Sequence, residues 1–356
     1  MARTRGPACN LVLDLGTFQM RLLRLDSAAP GDIRLKQIST VDSPREYVAS
    51  AFIEYPIMDA HPVENAIRKL ITSSKSTYDD TLVLMPDHSS LLNLMIAPPR
   101  FSKKELEESI REDFAPIMPL PIENWYIVHQ TIGPWEEDEI TLAVATIKNN
   151  LLEAGGIVQR AGLNPQTIDI NVLNVANLID HYLTASENRG KNISLVHLGN
   201  ETTSIAVFRD GQLRTLVNRP IGAYDFTKQI GKHFHVPDTE AEQFKRNEIF
   251  FLPEFSPEQE NLYNYTVIKS VFAVLIREIF SAMESFLTKF REFTIQEVII
   301  SGGGANYQNL PVMLASNLNT SIRYVADLYS LQIAGRPADI AERNELAAAC
   351  GAFLRE

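Results

Sequence analysis

Cysteine is nearly missing from this chain. Its 356 residues hold only Cys9 and Cys350, too few for a disulfide scaffold or a Cys-built metal site, and two thiols near opposite ends read as reduced. Long apolar runs are also lacking. The best candidate, Val267 to Phe280, is broken by Lys269, Arg277 and Glu278, whereas a membrane helix needs about 20 apolar residues in a row. The first residues carry Arg3 and Arg5 but no apolar core of a secretion signal. These features predict a cytoplasmic protein that reaches a membrane only through another molecule. Positive charge is in short supply as well: 33 Lys and Arg against 44 Asp and Glu leave a net charge of -11. A surface of that sign excludes a general nucleic-acid binder and a polybasic membrane anchor. Two nucleotide signatures are absent, G-x-x-x-x-G-K-[ST] and a G-x-G-x-x-G after the first strand, so neither a P-loop nor a dinucleotide fold is expected. His233 and His235 lack a third ligand at metal-site spacing and read as a surface pair.

What is present is an ordinary globular composition, 45% hydrophobic and 22% charged, in a chain long enough for two or three domains. Asn10–Leu15 reads as a buried strand that turns at Asp14-Leu15-Gly16-Thr17 into a second strand, Met20–Leu25. Ile193–His197, the turn Gly199–Thr203 and the strand Ser204–Phe208 repeat that theme, with Asp210-Gly211 as a hairpin turn into Gln212–Val217. Two lobes with related cores follow. Pro62–Ser73 has helical apolar spacing, and Thr81–Met85 is a short strand stopped by Pro86. Leu91–Ala97, a helix opened by the Ser102/Glu105 capping box, strands Trp125–Ile132 and Glu139–Thr146, a helix Asn149–Ala161 ended by Gly162 and a strand Thr167–Ile170 suggest a small inserted α+β module. A Pro253–Pro257 stretch precedes a long helix, with Glu258 and Glu260 near its start. Val298–Ser301 is a strand, Gln308–Asn317 a helix, and Glu345–Leu354 a closing helix.

Three turns have the chemistry of a phosphate cradle, which needs backbone N–H groups at close range and no side chain in the way. Asp14–Thr17 adds a hydroxyl and a carboxylate suited to a Mg²⁺-bound water, though alone it fits any hairpin. Gly199–Thr203 has the same build. Gly302-Gly303-Gly304, between an apolar strand and a helix, carries more information, because the helix N-terminus favours an anion. Glu242 and Lys245 share a helical face at i, i+3 and could flank a ribose; alone they read as a surface ion pair.

In order, DLGT, HLGNETT, RPIGAYDFT, AEQFK, SGGGA and LAAACGAFL resemble the motifs of the actin-like ATPases, over nearly the whole chain. The segments Ile110–Glu123 (IREDFAPIMPLPIE) and Leu142–Ile170 resemble the extra subdomain of the FtsA/PilM branch, in particular the PilM proteins of type IV pilus assembly. That resemblance implies an α/β, actin-like two-lobed fold with ribonuclease H-like cores. It implies a first-lobe core from 1–80, 171–190 and 336–356, an inserted subdomain at 81–170, a second-lobe core from 191–223 and 273–335, and a second-lobe subdomain at 224–272. It also implies ATP or ADP with Mg²⁺ between the lobes. Asp14 (to Mg²⁺ through water), Gly16, Thr17 and Arg21 would form the first phosphate loop, and Gly199, Asn200, Glu201, Thr202 and Thr203 the second. Glu242, Lys245, Gly302, Gly303 and Gly304 would hold the adenosine. The family's Asp at the head of the second loop is His197 here, and a neutral imidazole cannot supply that charge. Weak Mg²⁺-nucleotide binding and slow hydrolysis, or none, are the expectation.

The implied role is a scaffold at the inner membrane that binds the N-terminal cytoplasmic peptide of a PilN-like protein, with itself and pilus motor ATPases as further partners. Three alternatives share the superfamily. An FtsA-like division protein carries a C-terminal amphipathic anchor, which the sequence does not show after Leu354. A type II secretion scaffold continues into a membrane span. A small-molecule kinase needs a catalytic carboxylate that His197 does not replace.

Overall fold

The computed structural model describes residues 9–44, 60–76, 79–248, 250–251 and 259–355, with the side chains of 259–262 left aside. Arg3, Arg5, the Pro253–Pro257 stretch, Glu258 and the side chain of Glu260 lie outside the described residues.

The first sheet begins with β1 (Leu11–Leu15), β2 (Gln19–Ala29) and β3 (Asp32–Asp42), an antiparallel meander. Strand β3 was not expected. Its weak alternation hides it, and only the Pro30-Gly31 turn, with Gly31 at φ 79°, marks where β2 folds back. Helix α1 (Ala60–Ser74) buries Val63, Ala66, Ile67 and Leu70, the face its spacing predicts. Strand β4 (Asp80–Met85) then returns parallel to β1.

The chain next leaves this sheet. Strand β5 (Ser90–Ala97), helix α2 (Lys103–Phe114), β6 (Trp125–Trp135) and β7 (Asp138–Ile147) form a separate three-stranded sheet, order β5-β7-β6, with α2 on one face. Ser102 and Glu105 make the expected capping box. Helix α3 (Lys148–Ala161) ends at Gly162, which is left-handed at φ 110°. It packs with α1 in the core of the first lobe, and β8 (Asn164–Ile170) pairs parallel to β4. The separate sheet therefore spans 90–147, narrower than the expected 81–170: β4, α3 and β8 serve the first lobe. The sequence cannot make that division, because partner choice among short apolar strands is a long-range matter.

Helix α4 (Asn171–Leu183) crosses to the second lobe, where β9 (Asn192–Leu198), β10 (Thr203–Arg209) and β11 (Gln212–Arg219) make a second antiparallel meander. Helices α5 (Ala223–Phe234), α6 (Asp238–Asn247) and the long α7 (Gln259–Phe290) follow. Strand β12 (Glu297–Ser301) runs parallel to β9, and after α8 (Leu310–Leu318) strand β13 (Ser321–Tyr324) runs parallel to β12. The chain returns to the first sheet through β14 (Ser330–Ile333) and β15 (Arg336–Pro337), then closes with α9 (Ile340–Ala352). Strand β14 thus belongs to the first lobe although 273–335 was expected in the second.

The two large sheets share one plan. The first reads β15-β14-β3-β2-β1-β4-β8 and the second β11-β10-β9-β12-β13; in the shared part, β3 to β8 and β11 to β13, a meander is followed by two parallel strands. The near-repeat of strand and Gly turn in the sequence is this duplicated topology. Helices α4 and α9 cross between the lobes so closely that a Cβ added to Gly351 would overlap the Asn174 carbonyl oxygen. Among the described residues, no helix is long and apolar enough to cross a membrane.

Candidate functional site

The parallel strands of both sheets end at one place, and that is where a cleft opens. In open α/β sheets, ligands gather beyond the carboxyl ends of such strands, where backbone groups have run out of partners. The segments after β1, β4, β8, β9 and β12 line a cavity of about 480 Å³: Gly16 to Gln19, Pro86 to His88, Asn171, Gly199 to Thr202 and Gly302 to Gly304, with Asp14 and His197 at their strand ends. Residues of α6 and α9 close its sides. The volume is that of a small-molecule site.

On the first wall, the β1–β2 register sets Asp14 opposite Arg21. Arg21 lies 3.7 Å from the Asp14 carboxylate and 2.8 Å from Glu345 on α9. Asp14 is 7% exposed. Burial pushes its carboxyl up to about 6, against the pull of the Arg21 charge and hydrogen bond. Thr17 accepts a hydrogen bond from Asn200 Nδ2 at 3.3 Å, so the two Gly turns face each other across the cleft. Above them, Arg246 from the second lobe stacks on the Phe18 ring of the first.

On the second wall, Gly199 N–H donates to Thr202 O, and the Gly199 and Asn200 carbonyls accept from Ala223 and Tyr224 at the start of α5. The loop is thereby fixed by a helix end rather than left to flex. His197 is buried, its Nδ1 shares a 2.9 Å hydrogen bond with Ser301, and burial holds its pKa below the usual imidazole value. A neutral ring stands there. Thr203 does not line the cleft: its hydroxyl is buried and donates to Ile221 O.

Glu242 and Lys245 line the cavity, but as a built pair. Lys245 Nζ donates to Glu242 at 2.5 Å, Thr227 at 2.6 Å and the Ala223 carbonyl at 3.1 Å. An ammonium has three protons, so all are engaged within the protein. Burial raises the Glu242 carboxyl pKa, but Lys245 and the hydrogen bonds from Lys245, Thr227 and Arg246 outweigh it and leave it below its ordinary value. The pair fixes α6 against α5 and offers a ligand the edge of Glu242 rather than a free cation.

Gly302 is left-handed at φ 88°, and a Cβ there would overlap the Leu198 carbonyl oxygen. Only glycine satisfies both demands. Residues 303–306 then form a short 3₁₀ turn, and α8 starts at Leu310, outside the lining. The expected help from a helix N-terminus at this turn is therefore not in place; the glycine backbone itself faces the cleft.

Sequence reading missed the segment Pro86-Asp87-His88, taken only as the stop of a strand. Asp87 is buried, accepts from Val172 N–H at 3.0 Å and from Ser204 Oγ at 2.5 Å, and its carbonyl accepts from Asn218. It joins both lobes at the cleft floor. Its signal was there: polar residues directly after a parallel strand, the same station as Asp14 and Gly302. Asn171, Asn306 and Glu345 were missed for want of any local motif.

A family model described as type IV pilus assembly protein PilM matches residues 12–356. The chain belongs to the PilM family of type IV pilus assembly proteins. Among solved structures it is similar to a PilM–PilN type IV pilus biogenesis complex, at 19% identity and TM-score 0.79 over 98% of this chain and 99% of that one. It also resembles the ethanolamine utilization protein EutJ from Carboxydothermus hydrogenoformans, at 15% identity and TM-score 0.54, over 99% and 91% of the two chains. MreB 5 of Spiroplasma citri bound to AMPPNP matches at 10% identity and TM-score 0.53, over 97% and 95%. No curated protein matches the chain. The fold is actin-like, as the ordered motifs implied.

Proposed function

We propose that this chain is a scaffold of a type IV pilus assembly complex that holds ATP or ADP between its lobes and grips a short segment of a PilN-like inner-membrane protein. The observation that supports it most is a pair of concave sites on one body. The first is the Gly-lined cleft at the strand ends. Its donor set suits a nucleotide: backbone of Gly16, Gly199 and Gly302–Gly304 around the phosphates and sugar, with Asp14 able to hold Mg²⁺ through water. Asn200, Glu201 and Thr202 complete the second loop; Thr203 supports it from below. Arg21, bound to Glu345, steadies Asp14 rather than meeting phosphate. With His197 neutral, Mg²⁺ rests on few carboxylates, so turnover is slow and the nucleotide serves mainly to bridge the lobes.

The second site is a groove of about 990 Å³ between the three-stranded sheet and the two lobes, with Phe208 and Leu213 of the second lobe in its lining. Tyr126, Val128 and Gln130 of β6 pair in register with Thr146, Val144 and Leu142 of β7, so all six share one sheet face. The opposite face is covered by α2. The free face lines the groove, and Tyr126 and Val128 are about half exposed. An apolar face beside the edge strand β6 suits an extended peptide. That the similar PilM is described in a complex with PilN supports this occupant. The protein then works on the cytoplasmic side of the inner membrane, attached through its partner.

Calorimetry with the N-terminal cytoplasmic peptide of the cognate PilN is the test. Micromolar binding that Val128→Asp weakens by about tenfold or more supports the reading; no heat of binding at high peptide concentration defeats it.

A further inference from the structure

Two side chains at the cleft floor bury polar atoms that no hydrogen bond within the described residues satisfies. His88 follows β4 and is 6% exposed, and neither ring nitrogen has a hydrogen-bond partner among the described residues. Glu201 reaches from the second Gly loop, with Oε1 buried and also without a hydrogen-bond partner. Its Oε2 lies 3.8 Å from His88 Nε2. Both line the nucleotide cleft, one from each lobe. A buried polar atom left without a hydrogen bond destabilises the fold that holds it. Three such atoms, from two segments far apart in the chain and meeting in one cavity, are what a site for a small polar species requires. The spacing is too long for a direct hydrogen bond and suits two groups that share a third.

The charges around the pair set its chemistry. Glu201 is faced by His88 from the first lobe and by Lys228 and Asp225 from α5; burial, the largest influence, pushes its carboxyl up to about 7. Burial lowers the pKa of His88 against the neighbouring Asp87 charge, so the ring is neutral and can both donate and accept.

We infer that His88 and Glu201 hold the water that attacks the terminal phosphate of a nucleoside triphosphate in this cleft, with Glu201 as the base. The inference rests on the nucleotide reading above. The water oxygen bonds to the γ-phosphorus while the bond from that phosphorus to the β,γ-bridging oxygen breaks. Glu201 takes one proton of the water and returns it to solvent. The nucleoside diphosphate leaves with the bond's electron pair, and inorganic phosphate is the second product. His88 is a positioning residue that orients the water.

The experiment uses the full chain with Mg²⁺, reading binding with a fluorescent ATP analogue and turnover by phosphate release from pH 5.5 to 8.5. Release should rise with pH through about 7, since the base must lose its proton first. Glu201→Gln should lose about a hundredfold or more of the rate, together with the pH rise, a loss far larger than any change in its ATP binding. Glu201→Asp should keep a pH-dependent fraction of the rate, which carries the test if the Gln variant does not fold. His88→Gln should lower the rate and leave the pH midpoint in place. ATP binding without any phosphate release, or Glu201→Gln turning over at the wild-type rate, overturns the inference alone. Failure of the wild-type chain to bind nucleotide overturns the nucleotide reading and this one with it.

Discussion

Asp14 shows how a residue that lines the cleft can work against the fold that carries it. Its carboxyl sits near 6 rather than near 3.8, chiefly because it is buried. A folded-state value above the unfolded one means that the folded chain holds the extra proton between those two values. The stabilising share is therefore complete below about 4 and is lost as pH rises through about 6. A shift of about two units corresponds to about 3 kcal/mol. Asp14→Asn, which leaves Arg21 its 2.8 Å contact with Glu345, should therefore be about 3 kcal/mol more stable than wild type at pH 8 and nearly equal to it at pH 4. Urea unfolding at both pH values measures this; a variant less stable at pH 8 rules the account out. The proposed Mg²⁺ role of Asp14 predicts that the same variant loses Mg²⁺-dependent nucleotide binding.

At the scale of elements, the crossing of α4 and α9 decides how firmly the lobes are joined. Gly351 allows α9 to meet the Asn174 carbonyl, and Asn174 in turn donates from its side chain to Ile170 O at 2.8 Å. A side chain at 351 has backbone, not a flexible tip, in its way. Gly351→Leu should cost about 3 kcal/mol or more, at the upper end of overpacking effects, where the same change at Gly190, which has nothing within 4 Å of an added Cβ, meets no clash and pays only for its positive φ. Thermal unfolding of the two variants side by side gives the comparison; equal losses would show that the crossing is not tight. The loops that line the cleft follow one rule, that each starts at the carboxyl end of a parallel strand. That rule places Asp87 and His88 beside the glycine turns.

For the whole molecule, the cleft floor is also the joint between the lobes. The Asp87 carboxylate takes Val172 N–H from α4 and the Ser204 hydroxyl from β10. Hydrogen bonds to a buried charge are worth about 1.5–3 kcal/mol each, so Asp87→Ala should destabilise the chain by several times what a surface change does. A ligand that bridges both walls should add about 2.7 kcal/mol of stability at about 100 times its Kd. Asp87→Ala should shrink that gain by loosening the alignment of the walls. Melting curves with and without Mg²⁺-ATP report both effects, and an undiminished ligand gain in the variant would separate the joint from the site.

The sequence by itself determined a good deal. Apolar strands ending in Asp14–Thr17, Gly199–Thr203 and Gly302–Gly304, the Ser102 cap, the Gly162 stop and the repeated strand–turn theme are local features, written in residues close along the chain. They were enough for the fold class and for most of the cleft. The tertiary structure alone decided which strands joined which sheet, so that β4, β8 and β14 completed the first lobe and the inserted sheet shrank to 90–147. It also decided what each site residue could do. Lys245 gives its three protons to Glu242, Thr227 and Ala223, Thr203 turns to Ile221, and His88 meets Glu201 from a distant segment of the chain. Such pairings depend on burial and on contacts between distant segments, and neither leaves a periodic trace in the sequence.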